Sequence, residues 1–211
     1  MAVTIVALGG SFAQQSTSLA AVRIALEGAA DAGAHIKLFD VRQLDLPMYV
    51  PQSADIPERA RTFCESVYAS DGMLWSSPLY HGTISGSFKN TLDWLQLLGG
   101  RQPPYLTDKV VGLISTAGGT QGLQAVNTME FIVRALRGWA VPLVIPIPQA
   151  WRAIRDGQVL DDSLATQLRA LGAEVARAAD HFAAGRITSA DASRVEATLQ
   201  PVSDVEVRRA R

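Results

Sequence analysis

Hydrophobic residues along the 211-residue chain fall in short runs that alternate with amphipathic stretches. Residues 3–8 (VTIVAL) are nearly all apolar and β-branched and are closed by Gly9 and Gly10, which suits a parallel strand covered on both faces. Residues 18–30 then place Leu19, Val22, Leu26 and Ala29 at helical spacing, with Gly33 beyond the end. Residues 35–41 read as a weaker strand, in which Ile36 and Leu38 alternate with polar neighbours as at a sheet edge. Residues 45–55 hold two prolines and predict an irregular excursion, after which Pro57 opens a helix to about residue 70. Strand three covers residues 72–75. A polar-aromatic loop follows it, then a helix carrying Phe88, Leu92 and Leu95. Residues 109–115 predict strand four, and residues 121–137 a helix ended by Gly138. Residues 141–147 predict strand five, whose Pro142 and Pro146 fit a terminus or an edge. The last helix spans residues 161–184, with Leu164, Leu168, Leu171, Val175 and Phe182 on one face and Asp161, Asp162 and Ser163 at its N-terminus.

Five strand–helix units in strict alternation predict an α/β fold, a parallel sheet with helices on both faces. Right-handed crossovers leave few topologies, and the three-layer flavodoxin-like order 2-1-3-4-5 fits five strands with an edge-like second one. Residues 1–185 are expected to form this single domain. Residues 186–211 are polar and weakly patterned, and are expected to be a tail that is weakly ordered or docked on a partner subunit.

Ligands of such sheets sit outside the carboxyl ends of the strands, which makes three loops candidates for chemistry. The first, residues 9–18, runs into a helix N-terminus, where backbone N–H groups and the helix dipole favour an anion. It carries the hydroxyls of Ser11, Ser16, Thr17 and Ser18. It lacks both a Walker lysine and a G-x-G-x-x-G fingerprint, so a monophosphate fits better than a triphosphate or a dinucleotide. Serines that only cap the helix are the plainer alternative. The second loop, residues 76–83, combines rigid Pro78, Leu79, the stacking or polar candidates Tyr80 and His81, and Gly82 for close approach, before Thr83. In the third, Gly118 and Gly119 lie between Ser115 and Thr120 and expose amides to a heteroaromatic edge such as that of a flavin. Its plainer alternative is a connection needing positive φ. Three such loops on one sheet edge favour the flavin.

Residues 77–83, followed by Phe88-Lys89-Asn90 and Leu92-Asp93-Trp94-Leu95, resemble the P-x-Y-N-G-S loop and L-K-N-x-x-D-W-L helix of the NADPH-dependent FMN reductases. This flavodoxin-like family includes the flavin reductases of two-component monooxygenases and several quinone, azo-dye and chromate reductases. The resemblance covers roughly residues 3–183. Gly10, Ser11 and Ser16 match the family's phosphate loop G-S-x-R-x-x-S-x-N, but Ala13 replaces the arginine and Ser18 the asparagine. His81 replaces the asparagine of the second loop, and Gly118-Gly119 match the family's Gly-Gly loop.

The resemblance implies FMN bound by all three loops and reduced by NADPH or NADH, with no protein acid or base in the hydride step. Losing the arginine removes a charge-assisted hydrogen bond of about 1.5–3 kcal/mol, which implies FMN held loosely, like an exchanging substrate. The resemblance further implies a homodimer or homotetramer, with the helix after the second loop in the interface, and a monooxygenase as a partner. Trp94, Leu97 and Leu98 suit that interface or the core equally. The alternatives are a reductase of quinones, azo compounds or chromate with bound FMN, a flavodoxin-type electron carrier, and an FMN-free binding module. Near-neutral charge counts against the carrier, which needs an acidic docking face.

Composition narrows the field further. At 48% hydrophobic residues the chain can build a large core, and a formal charge of −1 gives no reason to expect nucleic acid or an anionic membrane as partner. No apolar stretch approaches the ~20 residues of a spanning helix. The N-terminus reads as a core strand and not a signal peptide, so a cytoplasmic protein is expected. Cys64, the one cysteine, shares helical spacing with Ala60, Phe63 and Val67 and reads as a buried structural thiol. Of His35, His81 and His181, only His81 falls in a candidate loop, without a second ligand nearby in sequence for a metal. The G-x-S-x-G elbow of serine hydrolases is not matched.

Overall fold

The computed structural model describes residues 2–185. The chain begins β1 (Thr4–Gly9), α1 (Thr17–Asp31), β2 (His35–Asp40), the one-turn α2 (Val41–Leu44), α3 (Glu58–Ala69) and β3 (Gly72–Tyr80). It continues with β4 (Thr83–Ile84), α4 (Gly86–Asp93), a 3₁₀ turn (Trp94–Leu98), β5 (Val110–Thr116), α5 (Leu123–Ala135) and β6 (Trp139–Ile147). The short α6 (Ala150–Ala153), a hairpin of β7 (Ile154–Arg155) and β8 (Gln158–Val159), and the long α7 (Asp162–Ala184) complete it. The expectation for residues 186–211 lies outside the described residues.

The sheet order is β2-β1-β3-β5-β6, with every neighbouring pair parallel. This is the expected five-strand order, its numbering displaced because β4 pairs antiparallel with the end of β3. Strand three runs five residues past its expected end. Its ladder with β5 continues through Pro78↔Thr116, and Leu79 and Tyr80 then pair with Ile84 and Thr83. His81 (φ 49°) and Gly82 (φ 87°) make the two-residue turn, both left-handed as a tight hairpin with right-twisted strands requires. Helix α5 starts at Leu123, two residues later than expected. Strand β6 is the second edge. Its register steps between Val111 and Leu113 of β5, leaving Pro142 where no ladder donor is needed.

Side-chain alternation along β3 divides the interior into two cores. Met73 and Trp75 face Phe63 of α3, Phe88 of α4 and Met129 of α5. Leu74 faces the other way, with Ile5 and Ile114, towards Val22 of α1 and Leu171 and Val175 of α7. Trp94 and Leu98 are buried in the first core and Leu97 packs against it, so these three residues serve the core. The L-K-N-x-x-D-W-L segment acts as a clamp. Asn90 accepts from the Tyr49 N–H at 2.8 Å and donates to the carbonyls of Leu46 and Pro47, and the Trp94 indole N–H donates to Pro47 at 3.2 Å. The irregular stretch after α2 thereby satisfies backbone groups that no strand or helix could. No helix of the described residues is long and apolar enough to cross a membrane.

Helices α1 and α7 cross with their backbones in contact. A Cβ on Gly172 would lie 1.7 Å from the Ala25 carbonyl oxygen, and one on Gly28 would lie 2.2 Å from that of Arg169. Arg169 flanks the crossing with ion pairs to Glu27 (2.5 Å) and Asp31 (3.6 Å). Gly172→Ala must push the helices apart and is expected to cost about 3 kcal/mol in urea unfolding, at the upper end for overpacking. Gly100→Ala meets open space and should stay within about 0.5 kcal/mol.

Candidate functional site

A cleft enclosing about 170 Å³ opens at the carboxyl edge of the sheet, between the β1–α1 loop, the end of β3, the β5–α5 loop and α6. The N-terminus of α1 forms its floor. Ser16 caps that helix, accepting from the Leu19 N–H at 3.3 Å, and its hydroxyl meets that of Ser18 at 3.0 Å. Ser11 accepts from the Ala13 N–H and donates to Ser16. Thr17 donates to Thr116 at 3.1 Å, tying the loop after β1 to the end of β5. Ser16 therefore caps the helix, as the plainer alternative has it, and Ser11 and Ser16 also line the cleft.

Seven of the expected residues line the cleft: Ser11, Ser16, Thr17, Pro78, Leu79, Tyr80 and Gly118. The others do not. Ser18 is buried behind Ser16. Ser115 is fully buried and donates to the Gly122 carbonyl at 2.7 Å. His81, Gly82 and Thr83 stand beyond the cleft in the exposed hairpin, where Thr83 donates to Thr128 of α5. Gly119 and Thr120 are exposed outside it as well. The third loop is pinned to the end of β6, since Gln149 and Ala150 donate to the carbonyls of Gly119 and Ala117. The N–H groups of Gly118 and Gly119 have no acceptor among the described residues.

Gln15, Thr116 and Trp151 also line the cleft and were not expected. Trp151 follows β6, and the carboxyl-end rule applied to the fifth strand as well as the first, third and fourth would have reached it. Beneath Pro78, Ser76 is fully buried with its hydroxyl unpartnered among the described residues.

No residue lining the cleft carries a formal charge. Neutral hydroxyls and the first N–H groups of a helix suit a phosphate monoester. Pro78, Tyr80 and Trp151 on the rim suit a flat ring. The enclosed volume is below the roughly 300–1,000 Å³ of pockets that bury a whole drug-sized ligand, so the phosphate end would be enclosed and the ring left at the rim. The described residues include no group of three or more His, Cys, Asp or Glu placed to hold a metal ion.

The three-layer architecture defines a flavodoxin-like fold, with this cleft at the carboxyl edge of its sheet. Residues 3–152 match the NADPH-dependent FMN reductase family, and the chain belongs to it. Among curated relatives, an FMN-dependent NADPH-azoreductase of Staphylococcus haemolyticus is 34% identical over 62% of this chain and 66% of its own length. An NADPH-dependent FMN reductase ArsH of Acidithiobacillus ferrooxidans is 33% identical over 59% and 51%. The chain thus spans about half to two thirds of the length of these relatives. Among solved structures, the flavoenzyme FerB of Paracoccus denitrificans shares the fold at TM-score 0.69 and 21% identity, covering 85% of this chain and 98% of that one. The NADH:FMN oxidoreductase EmoB does so at 0.62 and 20%, covering 85% and 88%.

Cys64 takes no part in the cleft. It is buried in the first core and donates to the Trp94 carbonyl. Burial first, and the Glu65 charge second, push its pKa from 9.0 up to about 12. The folded protein should not react with a thiol reagent at pH 8, and the unfolded chain should react stoichiometrically. Between pH 9 and 12 the unfolded chain releases a proton that the folded one keeps, so this thiol lowers stability as pH rises through that window. Denaturant unfolding of the wild type and Cys64→Ala across that window measures the difference in slope.

Proposed function

We propose that this protein is an FMN-dependent oxidoreductase that takes hydride from NADPH or NADH. The observation that carries the reading is the uncharged, hydroxyl-lined cleft at the N-terminus of α1, with a proline–aromatic rim, in a chain of the FMN reductase family. In this reading Ser11, Ser16 and Thr17 hold the phosphate, and Ser18 keeps Ser16 in place. Pro78, Leu79 and Tyr80 face the ring. His81, Gly82 and Thr83, with the amides of Gly118, Gly119 and Thr120, approach its edge, and Ser115 holds the third loop in shape. When bound, FMN supplies the hydride-accepting chemistry. The chain contributes position and amide donors, and the hydride step calls on no protein acid or base.

The reading extends to a cytoplasmic homodimer or homotetramer that passes reduced flavin to a monooxygenase or, with FMN kept bound, electrons to a quinone, azo compound or chromate. Support for assembly comes from Leu123 and Phe131 of α5, which are 52% and 72% exposed.

Purified protein titrated with FMN should quench flavin fluorescence, and with NADPH or NADH it should oxidise the nicotinamide in steady state. Failure of both overturns the reading. Thr17→Ala removes one neutral hydrogen bond and is expected to weaken FMN binding by about 2- to 12-fold, with riboflavin binding unchanged. Light scattering after gel filtration should give a dimer or tetramer, and a monomer removes that part of the proposal.

A further inference from the structure

A second cavity, of about 380 Å³, adjoins the cleft and shares Gln15, Thr17 and Trp151 with it. Its remaining wall is the β7–β8 hairpin, contributing Ile154, Arg155, Asp156 and Gly157. This hairpin is firmly held. Ile154 is 2% exposed in the second core, Ile154 pairs with Val159, and the Leu160 N–H donates to the Ala153 carbonyl at 2.8 Å. Asp156 (φ 50°) and Gly157 (φ 75°) form the same left-handed two-residue turn as His81 and Gly82. Ile154 is buried and Arg155 is exposed, and both line the cavity.

Arg155 is exposed, its backbone pairs with Gln158, and its guanidinium forms no ion pair or hydrogen bond with another described residue. It is the only cation lining either cavity among the described residues, and the exposed turn residue Asp156 is the only anion. A phosphate monoester carries close to two negative charges at neutral pH. In the cleft proper it would meet neutral donors alone. Thr17 lines both cavities, so a phosphate seated beside it at the start of α1 lies next to the space that Arg155 also lines. A guanidinium offers a planar fork of donors matched to phosphate oxygens.

We propose that Arg155, presented by the β7–β8 hairpin, supplies the cationic partner of the FMN phosphate. This rests on the FMN reading above and adds to it a phosphate contact from the far side of the cleft, outside the β1–α1 loop. The consequence is retention of FMN in spite of Ala13, in place of the loose binding expected from the first loop alone.

The test is flavin fluorescence titration of the full-length protein with FMN and, separately, riboflavin, for the wild type and four variants. Arg155→Gln should weaken FMN binding on the order of tenfold to a hundredfold, leave riboflavin binding unchanged and flatten the salt dependence of FMN affinity. Arg61→Gln should change neither, because Arg61 is an exposed residue of α3 and lines neither cavity. Ala13 lines the cleft, so Ala13→Arg combined with Arg155→Gln should restore FMN affinity, and Arg155→Lys should retain part of it. If the wild type prefers FMN to riboflavin and Arg155→Gln keeps that preference, Arg155 is not the partner and the FMN reading stands. Equal loss of both flavins in Arg155→Gln makes its role structural and also overturns the proposal. A wild type that binds neither flavin, or both equally, overturns the phosphate site underneath it.

Discussion

The backbone contact between α1 and α7 is the constraint on which the site depends. Gly28 and Gly172 let the two helices meet without side chains between them, and ion pairs from Arg169 flank the crossing. That contact seats α1 against β1 and β3 with its N-terminus at the carboxyl edge of the sheet. The same helix end carries the Ser16 cap and the Thr17 hydroxyl, and Thr17 reaches across to Thr116 on β5. Any sliding of α1 would therefore move the floor of the cleft relative to its rim. Packing far from the site sets geometry at the site, because interiors are close-packed and transmit displacement.

The division of labour in the chain differs from what its motifs suggest one at a time. The most family-specific segment is split: Pro78, Leu79 and Tyr80 line the cleft, while Asn90 and Trp94 in its second half do not touch it. Their side chains hold down the irregular stretch after α2 and fill the first core. In the first loop, Ser16 serves twice, as a helix cap and as part of the cleft wall. Capping and anion binding draw on the same unsatisfied N–H groups at a helix start, which is why a serine-rich turn there supports both. The cleft that results is rich in donors and free of charge.

Much of the fold was legible because burial leaves a local periodic trace. Residues 5–8 and 110–114 carry no polar side chain since both their faces are covered, while the alternation at Ile36 and Leu38 marks β2 as an edge. Pro142 and Pro146 marked β6 as the other edge. The extension of β3 to Tyr80 and its pairing with β4 left no such trace. A two-residue strand has no period, and His81 in a left-handed turn position is a residue that the turn rules do not favour.

Half of the candidate residues could be placed from the chain alone, because strand ends and helix starts are local features and the sheet gathers them on one edge. Whether a given hydroxyl then faces the cleft or the interior was not local. Ser115 and Ser16 read alike in sequence, yet one is spent on the Gly122 carbonyl and the other lines the cleft. Trp151 reaches the cleft, and Arg155 the cavity beside it, only because β6 lies beside β5 and the hairpin after it packs on α1. Periodicity encodes which residues must leave water and so specified the layers and the strand order. The neighbours of each loop follow from how strands and crossovers pack in three dimensions, and no stretch of the chain contains that information on its own.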